Sequence, residues 1–184
     1  MAPWLISLQH LNMYAYSFYF KEGDKLFESI KQLHTNRVLG ESDEIFLYEE
    51  DPLMDGDGNI IDDESIIYAI MLQENERKVG EIVFTKYVDN VTGNVSYRIF
   101  PEYQGNKYAL KALKLFKENI YKISNDDLYI ATHKDNKASI KTATGAGALF
   151  LEKVKIPKNY NFSKDGKYKY ANMYIIKNNG GKRK

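Results

Sequence analysis

The segment VSYRIFPEYQGNKYALKALKLFKENIYK, residues 95–122, is the most informative stretch of this chain. Its first residues alternate polar and apolar side chains as a strand does, and its second half repeats apolar residues at helical spacing. A loop with one proline and one glycine joins the two halves. A strand that leads through a loop into the first turn of a helix directs several backbone N–H groups at one point. The helix dipole adds about half a positive charge there, so the point suits a phosphate group.

Length and composition indicate one domain, which we predict over residues 1–177, followed by a disordered basic tail at 178–184. The chain has 26 basic and 25 acidic residues, so nothing in its charge attracts nucleic acid or an anionic membrane. It contains no cysteine, which excludes disulfides, thiolate nucleophiles and zinc–thiolate sites. No apolar run is long enough to span a bilayer, and the first residues lack the signal-peptide pattern. We expect a cytoplasmic protein.

Periodicity along the chain predicts strands at 11–20, 65–72, 79–87, 95–100, 127–132 and 169–177, and helices at 24–39, 108–123 and 136–144. Residues 41–64 are acidic and predicted to be irregular, except for the apolar residues 45–48. The strands at 65–72, 79–87 and 95–100 form an antiparallel meander. The helix that follows makes a crossover, so the strands at 95–100 and 127–132 are predicted to be parallel neighbours. These elements predict an α+β fold with a mixed, mostly antiparallel sheet and helices on both faces.

The acidic segment at 51–64 contains an alternation of Asp55, Asp57 and Asn59 that is typical of a calcium loop. A helix–loop–helix calcium site needs a glycine at position six and a glutamate at position twelve, where this chain has Ile60 and Ile66. We interpret the segment as a polar loop and predict no metal site.

The loop after the strand at 95–100 resembles motif A of the GNAT acetyltransferase superfamily, whose loop reads Gln/Arg-x-x-Gly-x-Gly/Ala. Gln104, Gly105 and Ala109 match this pattern, and Lys107 stands where the second glycine usually lies. A second match follows at DNKASIKTATGAG, in which Asn136 and other residues fit the next helix of the family. The resemblance spans roughly residues 66–150.

The other matching residues of that second segment are Ser139 and Gly147, and they point to the ribosomal-protein N-terminal acetyltransferase-like branch of the superfamily. The resemblance implies the GNAT, or acyl-CoA N-acyltransferase, fold, with acetyl-CoA as co-substrate and no metal. The residues that it implies at the cofactor are Ile99, Gln104, Gly105, Asn106, Lys107, Tyr108, Ala109 and Asn136.

These residues would bind different parts of the cofactor. By resemblance, the amides of residues 105–109 would hold the pyrophosphate, and Ile99 would bond pantetheine through its backbone. Asn136 would reach the pantetheine arm, or it simply caps its helix. Lys107 either keeps an ordinary backbone conformation, which loses an N–H contact, or places an ammonium beside the phosphates, which we favour.

The reaction that the resemblance implies is direct attack of a primary amine on the thioester, the amine being a protein N-terminus or a small molecule. An alkyl amine with a pKa near 10.4 is mostly protonated at pH 7, so it needs a base, and the departing thiolate needs a proton. Many family members supply that proton from a tyrosine, but the matching residue here is Ala143. By resemblance, Ser139 lies where the N-terminal acetyltransferase branch has its serine, and its hydroxyl would hydrogen-bond the sulfur, unless it bonds its own backbone.

Two residues are candidates for the base, His133 after the strand at 127–132 and Glu81 acting through water. Alternation along the strand at 79–87 does not determine on which face of the sheet Glu81 lies. By resemblance, the acidic segment at 51–64 would lie near the acceptor, where it would favour a cationic amine.

Two other functions stay open: a catalytically silent acyl-CoA-binding module on the same fold, and an unrelated α+β interaction protein in which the loop only turns the chain. We expect no nucleic-acid or membrane partner, and either a monomer or a homodimer.

Overall fold

The computed structural model describes residues 37–178, apart from 53, 55, 58–59, 61–64, 90–92, 123, 125 and 158–168. The elements, in chain order, are β1 (Val38–Glu41), β2 (Ile45–Glu49), β3 (Ser65–Leu72), β4 (Lys78–Asp89), β5 (Gly93–Ile99), α1 (Tyr108–Ile120), β6 (Leu128–Thr132), α2 (Lys137–Gly145), β7 (Leu149–Lys155) and β8 (Tyr170–Ile176). The predicted strand at 11–20, nearly all of the predicted helix at 24–39 and the tail after residue 178 lie outside the described residues. The single domain at 1–177 therefore stays a prediction.

The strands form one sheet in the order β1-β2-β3-β4-β5-β6-β8-β7. The predicted meander is confirmed, since β3, β4 and β5 are antiparallel neighbours in sequence order. The last predicted strand is β8, which runs between β6 and β7. Neither described helix is long and apolar enough to cross a membrane.

Strands β1 and β2 form a hairpin whose first residues the sequence pattern predicted to be helical. Val38 and Leu39, predicted to end a helix, belong to β1 and pair with β2, in which Val38 lies opposite Tyr48. Ser42 closes the hairpin, because its N–H donates to Ile45 O at 2.8 Å. The helical prediction at Val38 and Leu39 was wrong, since pairing with a neighbouring strand overrides a local preference.

The contact between β5 and β6 also differs from the prediction. The two strands are neighbours, but the one register pair described between them, Gly93 opposite Ile130, is antiparallel, so the predicted parallel ladder was wrong. Gly93 has a φ of +75°, and a Cβ at this residue would lie 2.3 Å from Tyr129 O, so the close approach needs glycine. After Gly93 no further register pair joins the two strands in the described part of the chain.

Helix α1 packs against the sheet and supplies much of the core. The predicted apolar face is confirmed for Leu113, Phe116 and Ile120, which are all buried. The Phe116 ring lies 5.6 Å from the rings of both Tyr68 on β3 and Phe84 on β4. This packing seats the second half of α1 on β3 and β4.

Candidate active-site cleft

A cleft of about 480 Å³ lies where β5 and β6 separate. One wall is β5, the other is β6 with the loop that follows it, and the first turn of α2 closes one side. The lining residues are Val95, Ser96, Tyr97, Ile130, Ala131, Thr132, His133, Asp135, Asn136 and Ser139.

Asn94 holds the two walls together at the base of the cleft. The residue is 2% exposed. Its Nδ2 donates to Asp127 O at 3.2 Å, and its Oδ1 accepts from Tyr129 N at 2.8 Å. These are bonds that the backbone of a neighbouring strand makes in a regular ladder. Here a side chain makes them, next to the one described register pair between β5 and β6.

The loop between β5 and α1 is held by its own side chains. Gln104 Nε2 donates to Ile99 O at 3.1 Å, and Asn106 Nδ2 donates to Tyr103 O at 3.1 Å. A 3-10 turn at Pro101–Tyr103 precedes the loop. The loop therefore has a defined shape where the chain enters α1.

The backbone amides of residues 105–109 form a cradle of donors at the start of α1. No hydrogen bond from them to a described residue is present, and the first intrahelical bond is donated by Lys111 N to Lys107 O at 3.1 Å. The first turn of α1 has no acidic residue and no side-chain cap. Gly105 has a φ of +91°, with nothing within 4 Å of the place where a Cβ would lie. The cradle thus faces open space with unpaired donors and the positive end of the helix dipole.

Lys107 adopts the backbone conformation that a glycine adopts easily. Its φ is 60° and its ψ is 17°, in the left-handed region. An L-residue with a side chain pays about 1–2 kcal/mol for this conformation. The structure therefore excludes the ordinary conformation that was one alternative for Lys107, and the lysine keeps the loop shape that a glycine would give.

Alternate backbone groups of β5 point into the cleft. Phe100 N donates to Val79 O at 2.9 Å, which sets the alternation of the ladder between β5 and β4. The backbone groups of Tyr97 and Ile99 then point away from β4, since neighbouring residues in an antiparallel strand point to opposite sides. This agrees with the expected backbone role of Ile99, although its carbonyl is taken by Gln104.

Tyr97 connects the two walls of the cleft. Its hydroxyl lies 3.0 Å from Ser139 O, to which it donates, and 3.1 Å from Ser139 Oγ. Burial raises the pKa of Tyr97, and the bond with Ser139 opposes this shift only in part. The sequence pattern gave Tyr97 no role, and strand alternation was the one signal that placed it on the same side as Val95 and Ile99.

Asn136 is the N-cap of α2, as the simpler of its two interpretations predicts. Its Oδ1 accepts from Ser139 N at 3.1 Å. This bond fixes the backbone of Ser139 at the edge of the cleft, where Asn136 is also a lining residue. A contact with a bound pantetheine arm is compatible with the cap and stays a prediction.

Thr132 brings an unsatisfied hydroxyl to the cleft. The residue is 3% exposed, and its Oγ1 has no hydrogen-bond partner among the described residues. A buried hydroxyl without a partner costs about 1–3 kcal/mol.

His133 lies in the cleft lining, as expected for a base, but its ring is engaged. Its Nδ1 accepts from Asp135 N at 3.3 Å, and Asp135 Oδ2 lies 3.5 Å from the same nitrogen. In a neutral ring this bond places the proton on Nε2, which makes the ring a donor there. The role of His133 as a base stays a prediction. The bond to Asp135 N argues against it, because it occupies the nitrogen that would accept a proton.

Glu81 does not line the cleft. It pairs with Arg98 across β4 and β5, and its carboxylate lies 2.9 Å from Arg98 Nε and 3.4 Å from Lys78 Nζ. Arg98 neighbours Tyr97 on β5 and so points to the opposite face of the sheet. The structure thus gathers Ser139, His133 and Asn136 in one cleft and leaves Glu81 outside it.

The described residues contain no group of three or more His, Asp or Glu side chains arranged to hold a metal ion. The segment at 51–64 that was compared with a calcium loop lies largely outside the described residues.

Comparison with known proteins places this geometry in a family. The model of the acetyltransferase (GNAT) domain matches residues 49–148, more than half of the chain. No curated protein matches the chain. Solved structures match at low identity and so bear on the fold alone.

One such structure is a ribosomal-protein-S5-alanine acetyltransferase from Vibrio fischeri, with 18% identity, a TM-score of 0.52 and coverage of 64% of this chain and 63% of that one. The match thus spans less than two thirds of that relative. A microcin C7 self-immunity acetyltransferase, MccE, in complex with acetyl-CoA and AMP, shares 18% identity over 73% of this chain and 93% of that one, at a TM-score of 0.54. A chimera of the spermidine N-acetyltransferase SpeG from Vibrio cholerae shares 14% identity over 65% of this chain and 71% of that one, at a TM-score of 0.53. The chain belongs to the GNAT acetyltransferase family.

Proposed function

We propose that this protein is an N-acetyltransferase that transfers the acetyl group of acetyl-CoA to a primary amine. The observation that carries the proposal is the cradle of unpaired amides at residues 105–109, at the end of the strand that lines the cleft. Amide donors at a helix N-terminus bind phosphate well, and acetyl-CoA carries a pyrophosphate. MccE, which shares the fold, is described in complex with acetyl-CoA.

The cleft suits the rest of that molecule. The backbone N–H and C=O of Tyr97 and the N–H of Ile99 point away from β4, so they are available to the amides of a pantetheine arm, whereas the Ile99 carbonyl accepts from Gln104. Thr132 and Asn136 line the same cleft. Acetyl-CoA bound with its pyrophosphate on the cradle would extend its thioester along β5 toward Ser139.

The reaction we propose is direct transfer. The amine nitrogen attacks the thioester carbonyl carbon, the C–N bond forms, the C–S bond breaks, and coenzyme A leaves as a thiolate. Ser139 Oγ donates a hydrogen bond to the sulfur as its charge develops. The proton lost by nitrogen passes to water, or to His133 once Nδ1 of that ring gives up its bond from Asp135 N.

The acceptor we propose is a protein N-terminus or a small-molecule amine. Structural neighbours include a ribosomal-protein acetyltransferase and a spermidine N-acetyltransferase, so both kinds of acceptor occur on this fold. An α-amino group has a pKa near 8, and so needs much less help from a base than an alkyl amine does.

A silent acyl-CoA-binding module is the second candidate. Two observations favour it: Ala143 stands where the family tyrosine would lie, and the carboxylate of Glu81 is held by two cations outside the cleft.

Thiol release from acetyl-CoA, measured with a panel of peptides and small amines and followed by mass spectrometry of the products, separates the two candidates. We expect an acetylated amine and one free thiol for each acetyl group transferred. Tight binding of coenzyme A without transfer to any amine would identify the silent module, and no binding would reject both.

A further inference from the structure

We propose that Tyr97 is a positioning residue for the leaving group, and that it holds the hydroxyl of Ser139 toward the thioester sulfur in place of the tyrosine that this chain lacks at position 143. The inference rests on the proposed function and goes further, because it assigns a role to a residue on the opposite wall of the cleft.

The contact between the two residues is specific. They are 42 residues apart in sequence, and the hydroxyl of Tyr97 reaches from β5 to both oxygens of Ser139, at 3.0 Å from O and 3.1 Å from Oγ. A serine hydroxyl in the first turn of a helix commonly bonds its own backbone. Tyr97 offers this hydroxyl another partner, and Asn136 holds the backbone of Ser139 from the other side.

The two acceptors on Ser139 let the hydrogen bonds rearrange without movement of the tyrosine ring. With its proton donated to Ser139 O, Tyr97 can accept from Ser139 Oγ. When its O–H turns to Ser139 Oγ, the serine proton is free to turn toward the cleft. A sulfur that gains negative charge would favour the second arrangement, because it attracts the serine proton.

The protonation state of Tyr97 suits this role. Burial raises its pKa above the ordinary value of 10.0, so the phenol remains a donor at every pH at which an α-amino group becomes nucleophilic. The apolar ring packs against the core, which fixes the position of the hydroxyl.

The step balances without a proton from Tyr97. The amine nitrogen forms the C–N bond, the C–S bond breaks, and the thiolate keeps the electron pair. The thiolate accepts a hydrogen bond from Ser139 Oγ, which accepts one from Tyr97. The surplus proton leaves from nitrogen, and the thiolate takes a proton from water after release.

Steady-state kinetics of Tyr97→Phe, Ser139→Ala and the double variant test this role. Hydrogen bonds to charged groups are strong enough that we expect Tyr97→Phe to lower kcat about tenfold, with KM for acetyl-CoA within about twofold of wild type. The double variant should lose no more than Ser139→Ala alone, because the tyrosine acts through the serine. An acetyl thioester of a more acidic thiol should shrink the defect, since its leaving group needs less stabilisation.

Tyr121→Phe is the matched control, because Tyr121 also donates its hydroxyl to a backbone oxygen, Ile176 O at 2.8 Å, away from the cleft. It should keep wild-type kcat. Suppose that wild type transfers acetyl groups. An unchanged kcat for Tyr97→Phe, or additive losses in the double variant, would then overturn the role of Tyr97 but leave the proposed function standing. Wild-type protein that transfers acetyl to no amine would overturn the proposed function and this inference together.

Discussion

The side chain of Asn94 binds the backbone of Tyr129 at 2.8 Å, in the place where a strand backbone would otherwise bind. One buried amide therefore joins β5 to β6 next to their one described register pair. The cleft lies beyond this point, where no register pair joins the two strands in the described part of the chain.

Replacement of Asn94 by leucine should destabilise the protein. The variant keeps the branched shape of the side chain but leaves Tyr129 N and Asp127 O without their partner, at a cost of about 2–4 kcal/mol. Urea unfolding measures this cost. Asn94→Asp is a second test: it keeps an acceptor for Tyr129 N but buries a carboxylate oxygen against Asp127 O, so it too should be less stable than wild type. A loss below about 0.5 kcal/mol for leucine would contradict the structural role of this amide.

Replacement of Lys107 by glycine should stabilise the fold. Glycine removes the cost of the left-handed conformation at φ 60° and adds some unfolded-state entropy, for a net gain of about 0.5–1 kcal/mol. Lys107→Ala, which keeps the strain, should bring no gain in urea unfolding.

The same variant tests the ammonium of Lys107. If the charge lies beside the phosphates, as we propose, Lys107→Gly weakens coenzyme A binding several-fold, and the difference fades at high salt. An affinity equal to wild type at low salt would show that the ammonium makes no contact.

Replacement of Glu81 by glutamine should leave most of kcat/KM intact. Glu81 lies outside the cleft lining and is 17% exposed in its side chain, paired with Arg98 and Lys78. A general base contributes about 100-fold or more, and its loss changes the pH profile. A 100-fold fall in kcat/KM with loss of its acidic limb would restore Glu81 as the base.

Ionisation of Tyr121 should lower the free energy of unfolding at alkaline pH. Burial, and after it the charge of Asp127, raise the pKa of Tyr121 from 10.0 to about 12. A raised pKa means that the folded state binds the proton more tightly, so this stabilisation is complete below pH 10 and is lost between about pH 10 and 12. Urea unfolding of Tyr121→Phe against wild type should show a smaller loss in that window. Parallel curves for the two proteins would contradict this assignment.

Local pattern predicts the parts of the site whose cause is local. The apolar spacing around Phe116 predicts α1, and Asn136 followed by Ser139 predicts the cap of α2, because both depend on residues within a turn or two. The bond between Tyr97 and Ser139 could not be predicted in this way, since it joins residues that only the folded sheet brings together. Lys107 is similar: its left-handed conformation is imposed by the loop and is unfavourable for lysine itself.

The hairpin at Val38 and the pairing at Gly93 are two features that local sequence pattern predicted wrongly. Helical spacing suggested a helix for Val38, and the crossover suggested a parallel ladder at β5. In both places a pairing made only in the folded sheet differs from the local pattern: β1 pairs with β2, and Gly93 lies antiparallel to Ile130.

Calorimetric titration of coenzyme A into wild type, Gly105→Glu and Gly105→Gln measures whether the cofactor phosphates lie on the amides of residues 105–109. Both variants carry the same strain at φ +91° and project into the same open space, but only glutamate places a carboxylate against the phosphates. A like charge at about 4 Å costs about 4 kcal/mol at an effective dielectric of 20. The account predicts that wild type binds, that Gly105→Gln binds within about tenfold of it, and that Gly105→Glu loses at least 100-fold. Equal affinities for the two variants, or no binding to wild type, would contradict the claim that the amides of residues 105–109 hold the cofactor phosphates.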